Sequence, residues 1–573
     1  MNVDSSFARC RKTTISIFVC LFLLSFVFVP SSRAQSEVYT KWIARFDAAH
    51  TEDDPAAMAL DGKGNTFVTG NTCIDNPCTN VESLTIGYNS NGNVKWRAFL
   101  SGTSHLAIGL DIAIDSAGNV YVLSFLNPTD GSTEVATAKY SPTGARQWVN
   151  FIASTSNTGY RPMKLAVAPE GNVYVTITAQ PITNPPSETI PSAVTVKYDT
   201  TGKQIWSREA ALAGSPAFVR LDAAENVYVL VFNYFDPQNR HSVIFKYNAN
   251  GTLLNSYGGN KLGNIKAFRV DGNGNSYVAG SGTSQPPNGI QDRIVAKFSS
   301  AGVLDWLHDF GPAVSGDQSD FADLAVDSSG DVLVAQSLSG TIPSNGGTDI
   351  SVVKFNSTGT IQWTTRYNGQ SDDSGNDQPV AIAVNSSGYT YITGFDIYPA
   401  FVSSVPRKED FVTVKYDPNG KQIWAAHYNA NNAPVALALS GGDVVVAGDA
   451  GFNSPTSSSD WLTIDYVQDA AKVSPTSLSF GNQKAGTVSA SKTVILTNTA
   501  EVPLAITGIS ITGEFELTNN CPSTLSAGAT CTLGIKFAPT QLGGLAGAVT
   551  VHDNWSGSAV HPQTVQLTGT GTT

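Results

Sequence analysis

The segment Gly171–Trp206, GNVYVTITAQPITNPPSETIPSAVTVKYDTTGKQIW, decides the architecture. It alternates apolar and polar residues from Val173-Tyr174-Val175, enters a Pro-rich connection at Pro181–Pro191, and alternates again up to Lys197-Tyr198. It then turns and restarts at Gly202-x-x-x-Trp206. Period-two alternation bounded by Gly, Pro and Asp is the pattern of short, half-buried strands. A shorter apolar strand precedes the turn, so one unit holds four strands. The unit occurs eight times, with its turn residue at Gly64, Gly118, Gly171, Glu225, Gly274, Gly330, Gly388 and Gly442. The successive spacings are 54, 53, 54, 49, 56, 58 and 54 residues. Four short strands at a fixed period are the signature of a β-propeller. A lone four-stranded unit cannot bury both faces, so the copies must stack into a ring.

Each unit opens on a short apolar strand, as in Met58–Asp61, Ile112–Asp115 and Phe268–Asp271. The turn that follows is Asp-x-x-Gly-Asn in its clearest copies, for example Asp115 to Asn119. Asp accepts backbone N–H bonds two residues on, and Gly tolerates positive φ. A calcium loop is the alternative. It needs oxygen ligands at alternate positions and a terminal Glu, which these turns lack, and the Asp position holds Ala168, Asn385 and Leu439 elsewhere. Turn chemistry is therefore the preferred reading. The third strand ends in Lys139-Tyr140, Lys197-Tyr198, Lys246-Tyr247, Lys297-Phe298, Lys354-Phe355 or Lys415-Tyr416, and the fourth carries Trp96, Trp148, Trp206, Trp306, Trp363 or Trp424. A large flat side chain at one place in every unit fits the seam between neighbours better than a ring of ligand-stacking aromatics. Unit four has Asn255 there, so its outer strand is expected to dock least firmly.

The last unit, Ala436 to Tyr466, lacks a Trp-bearing fourth strand. An orphan copy of that strand lies at Tyr39–Asp47 and supplies Trp42. One mixed unit built from both termini would remove the open sheet edge. The expected fold is thus all-β: a propeller over 35–468, eight-bladed with seven blades as the alternative, closed by strand 39–47. Val467–Ala471 reads as a connector. Beyond it, about seven short alternating strands over 472–573 suggest an immunoglobulin-like sandwich.

At 573 residues the chain exceeds one ordinary core. Gly 52, Met 3 and only 14% charged residues fit a turn-dense β protein. Residues 1–34 read as a signal peptide. Arg9, Arg11 and Lys12 precede the apolar run Ile15–Val29, and Ser32-Arg33-Ala34 offers a cleavage site after Ala34. An uncleaved anchor is the alternative, though fifteen residues are short for a span. Without those residues, which carry four Lys/Arg and one Asp, 30 basic and 45 acidic side chains remain, net −15. That charge disfavours nucleic acid and anionic membrane as partners. Four cysteines remain in two local pairs, Cys73/Cys78 and Cys521/Cys531. An even count in an exported chain reads as disulfides. A four-ligand metal site is the weaker alternative, since neither pair has a His neighbour.

The strand Gly-Asn-Val-Tyr-Val and the elements Val196–Trp206 and Val414–Trp424 resemble the bacterial β-propeller repeats, called SBBP, of secreted and cell-surface proteins. The resemblance covers about 430 residues. The tail is similar to the choice-of-anchor D and abnormal-spindle/Hydin type of immunoglobulin-like domain, through Leu478–Gly481, Leu496–Thr499, the Cys521/Cys531 pair and Ile535–Pro539. Neither resemblance implies a catalytic residue. The run Tyr416 to Trp424 also looks like the docking motif of quinoprotein propellers, eight-bladed enzymes that hold pyrroloquinoline quinone over calcium. Many of those carry a vicinal disulfide, and no two cysteines are adjacent here.

A search for portable chemistry yields nothing. His50, His105, His241, His308, His427, His552 and His561 are scattered, and HExxH, GxSxG, P-loop and Rossmann patterns are missing. The reading that follows is an exported, monomeric, non-catalytic scaffold with no cofactor. Its partner would be an extracellular protein or glycan, met by loops such as Cys73–Glu82, Gln180–Ser192 and Pro399–Lys408. A polysaccharide-acting or quinone-dependent enzyme is the alternative, since carboxylates from different units could converge unseen.

Overall fold

The computed structural model describes residues 38–47, 53–75, 78–100, 104–128, 132–182, 190–233, 240–282, 292–312, 320–339, 347–369, 376–398, 408–440, 442–451, 459–468, 470–500, 503–553 and 563–573. The expected leader, His50, His561 and the centres of the three loops named above lie outside this set. Among the described residues the chain is all-β.

Eight four-stranded antiparallel sheets follow one another at 53–100, 104–153, 158–213, 215–259, 265–312, 320–367, 376–428 and 434–468. They are numbered one to eight here. Each of the first seven is a simple meander. Sheets one and two touch through a single parallel bridge, Val81↔Leu106, and sheets six and seven through another, Thr348↔Asn376. The eighth has three strands of its own, and its fourth is Val38–Phe46, antiparallel to Ser459–Gln468. Lys41 fastens this strand through ion pairs to Asp443 at 2.5 Å and Asp465 at 3.3 Å. The first strands of consecutive sheets pack against each other, and that of sheet eight packs on that of sheet one, so the contacts form a closed cycle with the first strands innermost.

Eight buried apolar clusters occupy the eight seams, one each. The core therefore lies between sheets, and no sheet has a core of its own. Phe46 and Trp461 of sheet eight close the last seam against Val68, Leu84 and Tyr88 of sheet one.

The first strands are longer than their apolar tetrads suggest, and each carries a register shift at one common position. In sheets one, three, four, seven and eight that shift begins at Pro55, Pro162, Pro216, Pro379 and Pro434. Pro lacks an N–H, so an innermost edge strand is where a sheet tolerates it.

The expected connector is also shorter than Val467–Ala471. The last ring strand runs to Gln468 and the tail's first strand, Ala471–Ser474, starts almost at once. The tail has nine strands in two sheets around one core, built from Leu496, Leu533 and Phe537 on one side and Val549, Val565 and Leu567 on the other.

Candidate functional site

The repeated residues come first, because the structure assigns every one of them a local task at the seam. Lys139 stands directly opposite Tyr121 on the neighbouring strand, with its Nζ over the ring at 5.0 Å, and approaches the turn Asp115 at 3.9 Å. The same Nζ donates to Thr200 O of the next sheet at 3.3 Å, and Trp148 Nε1 donates to that carbonyl at 3.2 Å. Lys197 and Trp206 converge likewise on Ala249 O, both at 3.0 Å. Trp96 reaches Pro142 O, Trp306 reaches Ser357 O and Trp363 reaches Pro418 O. Trp424 and Lys415 use the Gln468 side chain, since sheet eight has no third-to-fourth-strand turn to offer. Under every one of these indoles except Trp424 lies a turn glycine of the next sheet. A Cβ on Gly251 would sit 2.8 Å from Trp206, at a φ of +77° that already favours glycine. Trp42, from the N-terminal strand, covers Gly92 of sheet one in the same way. The tryptophans are thus seam fillers with a satisfied N–H in six of the seven places.

Two departures from the pattern have compensations. In unit four, Asn255 donates to Ala301 O at 2.7 Å, and Tyr257, two residues on, covers Gly302 in place of the indole. The seam is filled from a different position, while the outer strand itself, Leu253–Gly259, has no buried side chain. In unit three the turn Asp is Ala168, which deprives Asn172, Tyr174 and Lys197 of their carboxylate. Glu225 from the next sheet's turn supplies one: Tyr174 Oη donates at 2.6 Å, Asn172 Nδ2 at 2.8 Å, and Lys197 pairs at 3.2 Å. Glu225 holds φ +60°, a costly conformation for a non-glycine residue.

Cys73 and Cys78 form a disulfide with Cα atoms 5.6 Å apart, and Cys521 and Cys531 form another at 5.0 Å. Among the described residues no group of three His, Cys, Asp or Glu is arranged to hold a metal ion.

The candidate site that sequence reading missed lies at the other end of sheets six and seven. Asp377, Asp396 and Asp410 stand opposite one another on three adjacent strands, at most 6% exposed. Like charges in direct cross-strand register repel. Asp377 is pushed up to about 8 by burial and by the nearby charges of Asp396 and Asp349, although the Gly369 N–H donates to its Oδ2 at 2.6 Å. A side chain on Gly369 would collide with Asp396 at 2.4 Å, so only glycine lets the backbone approach this close. Beside the row, Tyr367 Oη and His427 Nε2 lie 2.7 Å apart. Burial pushes the imidazole down, against the pull of Asp396 and Asp410, and pushes the phenol up. The Asp377 Oδ1 and His427 Nδ1 atoms are buried without a hydrogen-bond partner among the described residues. A second buried carboxylate, Asp449, is raised to about 7 by burial and by Asp54 where sheets eight and one meet. These groups could not be found from the repeat, because they occupy positions where the units differ.

No known protein-family model matches the chain, and no curated protein matches it. Among solved structures it is similar to the polysaccharide lyase Uly1, at 9% identity over 73% of this chain and 90% of that one, TM-score 0.38. It is also similar to a gluconolactonase from Xanthomonas campestris, at 15% over 52% and 95%, TM-score 0.26. The PapD-like domain 7 of human CEP192 matches at 15% over 18% and 85%, TM-score 0.15. The first two are all-β, propeller-like proteins.

Proposed function

We propose that the chain is an exported eight-bladed propeller, closed by its own N-terminal strand and followed by an immunoglobulin-like sandwich. It works as a non-catalytic scaffold that holds an extracellular protein or glycan on one face. The observation that carries this is the separation of its connections. Every link between third and fourth strands in sheets one to seven spans five residues, as from Tyr198 to Gln204, and so do those between first and second strands in the same sheets. All of these lie at one end. The connections between second and third strands leave from the other end and reach ten residues, as from Pro181 to Ser192 and from Ser281 to Asp292. Repeated chemistry holds the first end together, and variable length is confined to the second, where a scaffold presents contacts. Replacing 399–407 with a Gly-Ser segment of equal length should abolish capture of the partner from a glycan array or an extracellular protein panel and leave the melting temperature unchanged. Retained capture would reject the loop face as the contact surface.

A second reading has one specific observation in its favour. A carboxyl raised to about 8 beside a Tyr–His pair is suited to general acid–base work near neutral pH, and it lies at the loop end. Turnover of a polysaccharide panel by the purified protein, abolished by His427→Ala with folding intact, would replace the scaffold reading.

A further inference from the structure

At the five-residue-turn end, one seam is more open than its counterparts. Tyr121 donates to its own turn Asp115 and across to Gly171 O at 3.2 Å. Tyr228 donates to Asp222 and across to Gly274 O at 3.1 Å. Between sheets five and six, Tyr277 donates to Asp271 at 2.9 Å and makes no bond across among the described residues. The lysine of that seam is displaced as well. Lys297 lies 5.8 Å from the Tyr277 ring, against 5.0 Å for Lys139, Lys197 and Lys246. It reaches Ser357 O only at 3.5 Å. The opening leaves a cavity of about 680 Å³, within the roughly 300–1,000 Å³ of small-molecule sites.

Its wall offers Arg269, the turn side chains Asn273, Ser328 and Ser329, and an apolar side from Val326 and Ile382. Two carboxylates also line it, and both are committed. Asp271 accepts from Asn273, Asn275 and Tyr277, and Asp327 pairs with Lys354 at 3.1 Å. The innermost strands add a charge asymmetry. At the register position one residue before the last pair of the first strand, five sheets have Ala (Ala59, Ala113, Ala166, Ala325, Ala383), sheet eight has Leu439, and two have Arg, Arg220 and Arg269. Arg269 pairs with Asp323 at 2.7 Å. Arg220 donates Nε to Phe268 O and Nη1 to Val219 O, and has no carboxylate within ion-pair distance among the described residues. Burial and the charge of Arg269 push it down to about 10.

We propose that this cavity binds an acidic monosaccharide unit. Its carboxylate or sulfate would face Arg269 and Lys297, which both line the cavity. Its hydroxyls would meet Asn273, Ser328 and Ser329, and its C–H face would lie on Val326 and Ile382. An oxyanion suits a planar donor fork in a partly dry site, and Arg269 and Lys297 stand in a chain of net charge −12. The cavity is at the end of the ring opposite the proposed partner face, so its failure leaves that reading intact.

Titration calorimetry of the full chain tests it, with sodium glucuronate, galactose 6-sulfate and neutral glucose at matched ionic strength. The expected result is saturable binding of at least one acidic sugar with Kd near or below about 1 mM, at least tenfold tighter than glucose. Preference between the two acidic probes identifies the oxyanion. Lys297→Gln should weaken the preferred probe about tenfold. Ser328→Phe, a change on an exposed turn that fills the cavity, should abolish binding without lowering the melting temperature. Equal affinity for glucose, unchanged binding by Ser328→Phe, or no saturable binding of either acidic sugar would overturn the proposal.

Discussion

The two ends of the ring use the same strands for opposite purposes. At the five-residue-turn end most sheets hand their neighbour the same parts: a Lys and a Trp that share one carbonyl in sheets two, three, five and seven, and a glycine of the next sheet beneath the indole in sheets one, two, three, five, six and eight. The other end is less uniform. Connections vary in length, one disulfide closes a local loop at Cys73–Cys78, and two groups of buried carboxylates have no counterpart in most other sheets. Regularity therefore marks where the ring is held together, and irregularity marks where it has been altered. Stability should respond to substitutions mainly at the first end, and binding or pH response at the second.

The hardest test of that division removes the strand that completes it. Deleting 35–48 strips Trp42 and Phe46 from the seam between sheets eight and one, and Trp or Phe truncation in a core costs about 3–5 kcal/mol each. That sum approaches the 5–15 kcal/mol of a whole domain. The truncated protein should aggregate or lose its cooperative transition in calorimetry, and an unchanged melt would show that the ring does not need closure. Next, Trp206→Ala should cost about 3–5 kcal/mol in denaturant titration. If it costs under 1 kcal/mol, the seam bonds are incidental.

A finer test swaps a compensation back to the repeat. Glu225→Gly leaves Tyr174, Asn172 and Lys197 without their carboxylate and should cost about 1–3 kcal/mol. Adding Ala168→Asp restores the acceptor within the sheet's own turn, so the double variant should recover most of the loss. Strict additivity would mean that the trans contact contributes nothing.

The smallest stability effect, and the one that separates the ends by pH, concerns Asp377. Its native pKa, about 8, lies above the ordinary 3.8. The native state therefore holds a proton that the unfolded chain releases, and the resulting stability is full below about pH 4 and lost as pH rises through 8. His427 has the opposite sign, because its lowered native pKa costs stability as pH falls through the ordinary 6.5. Asp377→Asn should raise the melting temperature by about 2–4 °C at pH 8 and change little at pH 5. A uniform shift at both values would refute a raised Asp377 carboxyl.

How much of this could be read from the sequence follows the same line. Lys139, Trp148, Gly202 and their equivalents were visible because each recurs at one phase of the repeat, and recurrence without portable chemistry points to packing. The N-terminal strand was visible because Trp42 completes a set of which the last unit lacks one member. Asp377, Asp396 and Asp410 were not, because their proximity depends on the register of three strands separated by connections of unrelated length. The trade between Ala168 and Glu225 left a trace, two exceptions in consecutive units, but only the fold shows that the second carboxylate reaches the first unit's tyrosine. The seam of Tyr277 left none, since its residues match the repeat and only their distances differ.

Lys41 and Asp443 are paired across 402 residues of chain. During synthesis the strand that carries Lys41 appears first, and its seat appears only after the other seven sheets have been made. A chain interrupted anywhere before sheet eight would therefore keep an unpaired sheet edge at both ends, whereas the pairing of Val38–Phe46 with Ser459–Gln468 covers both at once.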